Sequence, residues 1–412
     1  MHNKLHVGIV GAGSFSPSFI PLFLRHPFVE SVHVTDHHPD RMETMRNRFG
    51  CGTAPSFEAL LNDPVIDCIA LFIPRHLHGP FAIQALQAGK HVYSAVPMGN
   101  SLEECRSIID LVRRTGLTYM MGETCYYYPC VCWCRDQHKK GSFGKPIYVA
   151  SQYYHDLSGF DFPRLGEGWQ RIAGLPPMLY PTHSFTMALS TMDAYVTKLS
   201  CFGYRDNEDD HVFGEDCNLW DNPFSCEVAL AQLSNGGIAR ISEFRRVGIH
   251  KPSSFISTLI GTTGAYECSL ERHLYQFKIH PNGETVKILD VSDEVNPLDM
   301  IAAQYQSDFR EKVANDCFSN ASFASCQPRL RLPKVFQDAP NGHMGTHQFL
   351  VDDFCRAAYT GNLPPLNAWF AARVNLPGLI AHESALHGGI QMEVLDLGDA
   401  PADWETITYG KI

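Results

Sequence analysis

The sequence lacks two features that mark large classes of binding proteins. It has no run of basic residues, and its 33 Lys and Arg against 44 Asp and Glu give a formal charge of −11. A chain this acidic is poorly suited to a phosphate backbone, so we expect no nucleic-acid partner. No apolar stretch approaches the ~20 residues of a membrane span, so we expect no membrane partner either.

A secretion signal is also missing from the opening residues. The segment MHNKLHVGIVGAG enters a strand pattern almost at once, without a basic segment, an apolar run and a cleavage site in succession. The 14 cysteines are spread over 412 residues, a length that needs no disulfide staples. We therefore expect a cytoplasmic protein with reduced thiols, many of them small core residues.

A strand, a glycine turn and a helix follow each other at the start of the chain. Residues 5–10 (LHVGIV) are typical of a buried strand, and Gly11-Ala12-Gly13-Ser14 comes directly after them. We expect a helix over residues 16–24, with Pro17 in its first turn and Pro21 as a source of a kink. The first glycine permits the tight turn, and the second lets the backbone approach a pyrophosphate at the helix N-terminus. This context predicts a dinucleotide site, although Ser16 replaces the third glycine of the usual motif.

An acidic residue follows the second predicted strand, residues 31–35. Asp36 lies close to the position at which such domains hold the ribose hydroxyls. Because its charge repels a 2′-phosphate, we predict NAD as the cofactor. The neighbouring candidates for cofactor binding are Ser14, Phe15, His37 and Arg41.

The alternation of strands and helices continues to residue 123. We expect strands over residues 68–73, 90–94 and 117–121, and a helix over 101–115 capped by Ser101. This alternation predicts a doubly wound parallel sheet, in which ligands bind at the carboxyl ends of the strands. The residues expected to face the cofactor there are Pro74, His76, His78, Val96, Pro97 and Glu123.

Beyond residue 123 the order of predicted strands and helices changes. Segments beginning at residues 145, 226, 237 and 254 alternate like strands of an antiparallel sheet, and helical patterns occur over 125–140, 184–192, 345–359 and 367–387. We therefore predict a fold of the α/β class: a Rossmann domain over residues 1–123 and an α+β domain with an open, mostly antiparallel sheet over 124–412. Residues 289–342 lack periodicity and are interpreted as an excursion or an oligomer contact.

The arrangement resembles the Gfo/Idh/MocA oxidoreductases over nearly the whole chain. Typical members carry Glu-Lys-Pro after the fifth strand and an Asp four residues before a His of the second domain. This sequence has Ala95-Val96-Pro97 and Leu179 in those places, ahead of His183. The lysine and the aspartate that help to deprotonate the substrate hydroxyl in the usual dehydrogenases are therefore absent.

Several separated motifs are similar to one branch, the NAD-dependent glycosidases of glycoside hydrolase family 109. They are AVPMGNSLEEC (95–105), MMGETCYY (120–127), GSFGKPIYVASQYYHDL (141–157), LYPTHS (179–184), GHMGTHQFLVDDF (342–354) and HESALHGG (382–389). This resemblance implies a sugar site lined by Glu123, Tyr153, His155, Tyr180 and His183.

The resemblance implies a redox-cycling hydrolysis. A sugar hydroxyl at carbon 3 is oxidised, the neighbouring carbon 2 loses a proton, the carbon-1 substituent leaves, water adds and the hydride returns. This route needs acid/base groups that work near neutral pH rather than a pair of carboxylates flanking the glycosidic bond. Tyr153 and His183 are the leading acid/base candidates, with Tyr180 orienting the sugar, His155 as a second base or sugar contact, and Glu123 as an anchor for sugar or nicotinamide ribose.

Three further residues are candidates for substrate binding. Trp169 could stack on a sugar ring and Arg171 could bind a carboxylate or phosphate, although an exposed loop pair explains them equally well. Tyr126 follows Glu123 and could form a wall of the pocket, with packing as the alternative.

A cysteine cluster invites a metal assignment that we do not make. Cys125, Cys130, Cys132 and Cys134 lie near His138, but zinc sites usually pair cysteines as C-x-x-C across turns. We expect small core residues and no metal.

Two other functions stay open on sequence grounds. One is an NAD-dependent sugar, polyol or glycoside dehydrogenase that stops at the ketone, and the other is a cofactor-binding regulatory protein. In every case we expect a small sugar or glycoside as the ligand and a homo-oligomer, either a dimer or a tetramer.

Overall fold

A computed structural model describes residues 4–156, 168–248, 253–268, 272–279, 286–296, 323–337 and 342–409. Two sheets organise them. The first carries strands β1 (Leu5–Val10), β2 (Val29–Thr35), β3 (Gly52–Thr53), β4 (Cys68–Leu71), β5 (His91–Ser94) and β6 (Tyr119–Met121). Its helices are α1 (Ile20–Arg25), α2 (Pro39–Phe49), α3 (Phe57–Asn62), α4 (His78–Gln87) and α5 (Leu102–Thr115).

The first sheet is parallel throughout, in the order β3-β2-β1-β4-β5-β6. Its central strands are apolar and buried along almost their whole length, as expected when helices cover both faces of a sheet. The predicted doubly wound parallel sheet is therefore confirmed. The short strand β3 was not predicted, because two residues carry no periodic pattern.

The helix after the glycine turn differs from the prediction. Ser16–Ser18 forms a separate 3₁₀ turn, and α1 begins only at Ile20. Each of the two pieces carries its proline, Pro17 or Pro21, in its first turn, where the missing N–H costs nothing. A continuous helix from residue 16 would have left Pro21 in its interior, so the chain starts the helix a second time.

In the described part of the second domain, nine strands form one sheet. They are β7 (Pro146–Tyr154), β8 (Val196–Arg205), β9 (Phe224–Leu233), β10 (Ile238–Phe244), β11 (Ser253–Gly261), β12 (Gly264–Cys268), β13 (His273–Lys278), β14 (Val286–Asp290) and β15 (Met392–Glu393). Its helices are α6 (Pro129–Lys139), α7 (Gln170–Ala173), α8 (Thr182–Met192), α9 (Ser292–Val295), α10 (Lys334–Gln337), α11 (Gly342–Thr360) and α12 (Ala368–Leu386).

The strand order is β14-β13-β12-β11-β7-β10-β9-β8-β15. Among the described strands of this sheet, β7 and β10 pair in parallel and the other pairs are antiparallel. The predicted mostly antiparallel sheet is thus confirmed. Strand β7 lies near its middle, and helix α8 packs on it, so Tyr153 and His183 are carried by two packed elements.

The two long helices at the end of the chain return to the first domain. Buried Phe349, Leu350 and Phe354 of α11 share a core with Phe19 and Tyr93. Helix α12 reaches the turn after β5, where Asn375 Oδ1 accepts a hydrogen bond from the Met98 amide at 2.9 Å. The Rossmann domain is therefore completed by chain that lies far beyond residue 123.

The segment over residues 289–342 is described only in part, since residues 297–322 and 338–341 lie outside the described ranges. Its described parts pack on the second domain: Glu294 accepts a hydrogen bond from the Trp133 indole at 2.9 Å, and Gln327 donates to the Tyr127 carbonyl at 2.9 Å. Its role as an oligomer contact stays a prediction.

The cysteine cluster lies in the core. Cys125, Cys130, Cys132 and Cys134 are all buried, and burial raises the pKa of Cys130 to about 11. No helix in the described ranges combines the length and the apolar character needed to cross a bilayer.

Candidate active site

The two glycines of the turn after β1 have different structural roles. Gly11 has φ +99°, and a Cβ there would lie 2.2 Å from the carbonyl oxygen of Phe72. A Cβ on Gly13 would meet no atom within 4 Å. Gly11 is therefore required by the fold itself, whereas Gly13 leaves the outer face of the turn open to a ligand.

Asp36 lies at the end of β2, against this turn. Its Oδ2 accepts a hydrogen bond from the Ala12 amide at 2.7 Å, and its Oδ1 accepts one from the His38 amide at 2.8 Å. Each carboxylate oxygen keeps a second lone pair for a ribose hydroxyl. The open Gly13 face and this carboxylate together fit NAD, because a 2′-phosphate would meet a fixed negative charge.

The other candidates near the turn are more exposed. Ser14, His37 and Arg41 lie at the surface, with His37 Nδ1 3.4 Å from Asp36 Oδ1. Phe15 packs edge-on against Phe72 at a centroid distance of 6.0 Å. Their contacts with the cofactor stay a prediction.

The turns after β4 and β5 both contact the ring of His78. Its Nδ1 lies 2.9 Å from the Pro97 carbonyl oxygen, and its Nε2 lies 3.0 Å from the Ile73 carbonyl oxygen. Burial lowers its pKa to about 4. The neutral ring has one N–H and donates it to one of these two carbonyl oxygens, so His78 lies between the turn of Pro74 and the cis Val96–Pro97 bond, while half-buried His76 lies nearer the surface.

Four predicted site residues converge between β7 and α8. Tyr153 donates its hydroxyl hydrogen to His155 Nδ1. The ring centroid of Tyr153 lies 4.6 Å from that of His183 and 6.0 Å from that of Tyr180, and the rings of Tyr180 and His183 are 5.1 Å apart. We call these four residues the aromatic cluster. The structure brings together the residues that were predicted to carry out the chemistry.

Glu123 lies behind His183 rather than beside the open part of the cluster. It is fully buried, and its Oε1 lies 2.6 Å from His183 Nδ1 and accepts a hydrogen bond from the Cys125 amide at 2.9 Å. Burial opposes its ionisation, but His183 and these hydrogen bonds outweigh burial, so the pKa of Glu123 lies below its usual value. An ionised carboxylate only accepts, which assigns the proton to His183 Nδ1 and leaves Nε2 as a base.

The Tyr153–His155 pair is uncharged. Burial raises the pKa of Tyr153 well above its usual value, although Arg245 and Arg75 act in the opposite direction. Burial, together with the same two cations, lowers the pKa of His155 to about 2. At neutral pH the tyrosine therefore keeps its proton and the histidine is neutral.

The structure adds charged residues that the sequence analysis did not select. The Cζ atom of Arg75 lies 4.1 Å from the ring centroid of Tyr180, and that of Arg245 lies 5.0 Å from the ring centroid of Tyr153. Arg245 is buried and paired with Glu243 at 3.0 Å. Arg75 follows Pro74 directly, so the predicted turn was a usable signal for it, whereas nothing in the pattern of β10 singles out Arg245.

His343 is another residue that was not selected, although it lies in the motif GHMGTHQFLVDDF. It has a left-handed backbone with φ 51°, and its ring packs edge-on against Phe15 at 5.8 Å. Burial and the nearby His183 lower its pKa to about 4. It therefore lies between the glycine turn and the aromatic cluster.

The three remaining substrate candidates have other neighbours. Trp169 packs against Ala173, Val212 and Phe213. Arg171 is exposed, and its carbonyl accepts a hydrogen bond from the Leu219 amide at 3.0 Å. Their contacts with substrate stay a prediction.

Tyr126 packs under the guanidinium of Arg135, whose Cζ lies 4.0 Å from its ring centroid, and edge-on against Phe370. The packing alternative describes its observed surroundings.

The chain is similar to several known proteins. Residues 5–123 match the family model described as "Oxidoreductase family, NAD-binding Rossmann fold" (GFO_IDH_MocA). A "Glycosyl hydrolase family 109 protein" of Streptomyces filamentosus is 26% identical, over 99% of this chain and 80% of its own. An "Alpha-N-acetylgalactosaminidase" of Shewanella oneidensis is 29% identical, over 37% of this chain and 36% of its own.

Among solved structures, a levoglucosan dehydrogenase in complex with NADH and levoglucosan has a TM-score of 0.72 at 17% identity. The alignment covers 95% of this chain and 99% of that one. At this identity the likeness shows the fold. Together with the match over residues 5–123, it shows an NAD-binding enzyme that is similar to the Gfo/Idh/MocA oxidoreductases and, over most of the chain, to proteins named glycosyl hydrolase family 109.

Proposed function

We propose that the protein hydrolyses glycosides by transient oxidation of the sugar, with a dehydrogenase that releases a keto-sugar as the alternative. The supporting observation is that two proton-transferring units face each other: the His183–Glu123 pair and the Tyr153–His155 pair, with the Tyr153 and His183 rings 4.6 Å apart. Simple dehydrogenation needs one base, whereas elimination also needs a second group near carbons 1 and 2.

The cofactor side follows from the first domain. The open face of Gly13 would receive the pyrophosphate and Asp36 the ribose hydroxyls. When bound, NAD supplies one capability, the reversible acceptance of a hydride from a sugar carbon.

The His183–Glu123 pair is assigned to the first proton. The carbon-3 hydroxyl gives its proton to Nε2 of His183 as the hydride leaves carbon 3. The imidazolium formed is stabilised by the ionised Glu123, whose Oε1 lies 2.6 Å from Nδ1. Burial of the pair excludes water that would compete for the proton.

The Tyr153–His155 pair is assigned to the elimination. The ketone at carbon 3 acidifies the C–H bond at carbon 2, whose electrons expel the carbon-1 oxygen. The Tyr153 oxygen takes the carbon-2 proton while its own hydroxyl proton passes to His155 Nδ1, and the leaving carbon-1 oxygen then receives the proton that the pair has gained. Tyr180, held under the Arg75 guanidinium, orients the ring of the sugar. Water then adds, the steps reverse and net hydrolysis results.

The test is a panel of α- and β-aryl glycosides with a catalytic amount of NAD, in which phenol release and NADH absorbance are followed together. Phenol release without net NADH supports the cycle. NADH formation with an intact aglycone would assign the dehydrogenase instead, for which the His183–Glu123 pair alone suffices. In heavy water, the cycle places deuterium at carbon 2 of the product sugar.

A further inference from the structure

Arg75 is a cation inside the candidate site. It opens the 3₁₀ turn Arg75–Leu77 directly after β4 and is half-buried. Its Cζ atom lies 4.1 Å from the ring centroid of Tyr180, which in turn contacts Tyr153 and His183. The cation therefore belongs to the same pocket as the aromatic cluster.

Arg75 differs from the other arginine of the pocket in its charge partners. Arg245 has Glu243 at 3.0 Å and the Pro177 carbonyl oxygen at 3.3 Å. Across the described ranges, the Arg75 side chain has neither an ion pair nor a hydrogen bond. Removing an arginine from water is unfavourable unless an acceptor replaces the water, so its five N–H groups are available to a ligand.

The charge balance of the pocket leads to the same conclusion. Glu123 is engaged by His183, and Glu243 by Arg245 and Ser184. No described carboxylate remains to neutralise Arg75, so an anionic group of a ligand would meet an uncompensated positive charge there. The planar guanidinium fork is suited to the paired oxygens of a carboxylate or phosphate.

The ligand anion could belong to the sugar or to the cofactor. Tyr180 places Arg75 on the side of His183, whereas the open face of Gly13 and the Asp36 carboxylate lie beside β1 and β2. The pyrophosphate is expected at the Gly13 face. The position above Tyr180 therefore favours the sugar.

We propose that Arg75 is the specificity-determining residue for an anionic substituent of the sugar, so that the enzyme prefers acidic glycosides carrying a carboxylate or a phosphate. This inference rests on the proposed function, because it names the substrate class of the same site. The anion would also offset one of the two cations that lower the pKa of His155, which makes His155 a stronger base once such a substrate binds.

The experiment compares matched sugars on the full chain loaded with NAD. The substrates are 4-nitrophenyl glucuronide, 4-nitrophenyl glucoside 6-phosphate and 4-nitrophenyl glucoside, with the corresponding galacto series. Calorimetry with the free sugars measures binding independently of turnover. The variants are R75Q and R75K, and the matched control is R48Q, because Arg48 lies over Phe49 at 4.8 Å on helix α2, away from the pocket.

We expect an acidic sugar, of one anion type or both, to bind more tightly than its neutral counterpart. R75Q should weaken that binding roughly 10- to 100-fold and weaken binding of the neutral sugar much less, because both sugars lose the support of Tyr180 but only the acidic one loses a charge partner. R75K should recover part of the preference, and R48Q should equal the wild type. Whether the carboxylate or the phosphate series shows the effect identifies the anion.

Three results would overturn the proposal. They are neutral sugars that bind as well as acidic ones, a preference that survives in R75Q, and a loss in R75Q confined to NAD affinity, which would assign Arg75 to a cofactor phosphate. Failure of the proposed function looks different. Acidic sugars would bind in an Arg75-dependent way while neither nitrophenol nor NADH appears.

Discussion

Two buried histidine–glutamate pairs in this protein have nearly the same geometry and different surroundings. His183 Nδ1 lies 2.6 Å from Glu123 Oε1, and His382 Nδ1 lies 2.8 Å from Glu227 Oε1. In both pairs the glutamate is fully buried and the histidine is 7% exposed. Distance and burial therefore do not separate a reacting pair from a supporting one.

The residues around His183 and His382 distinguish the two pairs. His183 faces Tyr153 and Tyr180, whose hydroxyls are polar groups in the pocket. His382 lies edge-on to Phe224, and the second oxygen of Glu227 accepts a hydrogen bond from the Met178 amide at 2.7 Å. The second pair holds the 3₁₀ turn Pro177–Leu179, which leads into Tyr180. We therefore assign proton exchange with a ligand to the first pair, as proposed above, and support of the backbone that leads into Tyr180 to the second.

The largest effect that tests this comparison is expected from His183→Asn. An asparagine amide can still donate to Glu123 but provides no base, so turnover should fall roughly 100- to 10,000-fold with little loss of stability. His382→Asn is the matched change in the other pair and should alter turnover only a few-fold. Steady-state kinetics with thermal unfolding measures both, and equal losses of turnover would contradict the distinction.

The two glycines of the first turn extend the comparison to the cofactor side. Gly13→Ala adds a methyl group to open space, so the fold should persist while NAD affinity falls roughly 10- to 100-fold. Gly11→Ala collides with the Phe72 carbonyl and should destabilise the fold by about 3 kcal/mol. NAD titration and denaturant unfolding are measured for both variants. A Gly13→Ala variant that mainly loses stability, with a Gly11→Ala variant that mainly loses NAD affinity, would contradict this division.

A smaller effect is expected from Glu227→Gln. The amide retains only one acceptor for the two donors, His382 and Met178, so about 1–3 kcal/mol of stability should be lost. Because Tyr180 follows the released turn, KM should rise more than kcat falls. A variant with unchanged KM and strongly reduced kcat would mean that this pair takes part in the reaction itself.

The last test concerns acid, whose effect is expected on stability rather than on turnover. Burial is the first cause that lowers the pKa of His78, His273 and His343 to about 4, and that of His155 to about 2. The unfolded chain takes up these protons near pH 6.5, before the folded one can, so stability should decline as the pH falls below 6.5. Between pH 7 and 5 each group contributes a loss of up to about 2 kcal/mol. Urea unfolding at both pH values measures the sum, and equal midpoints would contradict it.

The sequence predicted those parts of the molecule whose apolar residues follow a regular pattern. The parallel sheet followed from apolar runs separated by turns, and the aromatic cluster from motif resemblance. The interruption between Ser16–Ser18 and Ile20 was missed because two prolines compete for one helix start. Strands β12 to β14 and β8 were missed because partly exposed strands alternate weakly.

The charged residues of the site were harder to predict than its aromatic residues. Arg245 approaches Tyr153 only because β10 pairs with β7 in register, Glu243 opposite Tyr153. The Glu123–His183 pair joins residues 60 positions apart, and the Glu227–His382 pair joins residues 155 apart. Such contacts depend on tertiary packing, which no local pattern encodes.

Helix α12 has a consequence for how the enzyme handles its cofactor. In this helix, Asn375 Oδ1 accepts a hydrogen bond from the Met98 amide at 2.9 Å, and Asn375 Nδ2 donates one to the Gly99 carbonyl at 2.8 Å. Both partners lie in the turn after β5. Three residues later Gly378 admits the Met178 carbonyl, to which a Cβ would come within 2.1 Å. One helix thus contacts both the turn after β5 and the turn that leads into Tyr180, with Pro377 between the two contacts. In the cycle proposed above, which returns its electrons to the sugar, no cofactor has to be exchanged between turnovers, and we expect a helix that joins the two turns to favour a cofactor that stays bound.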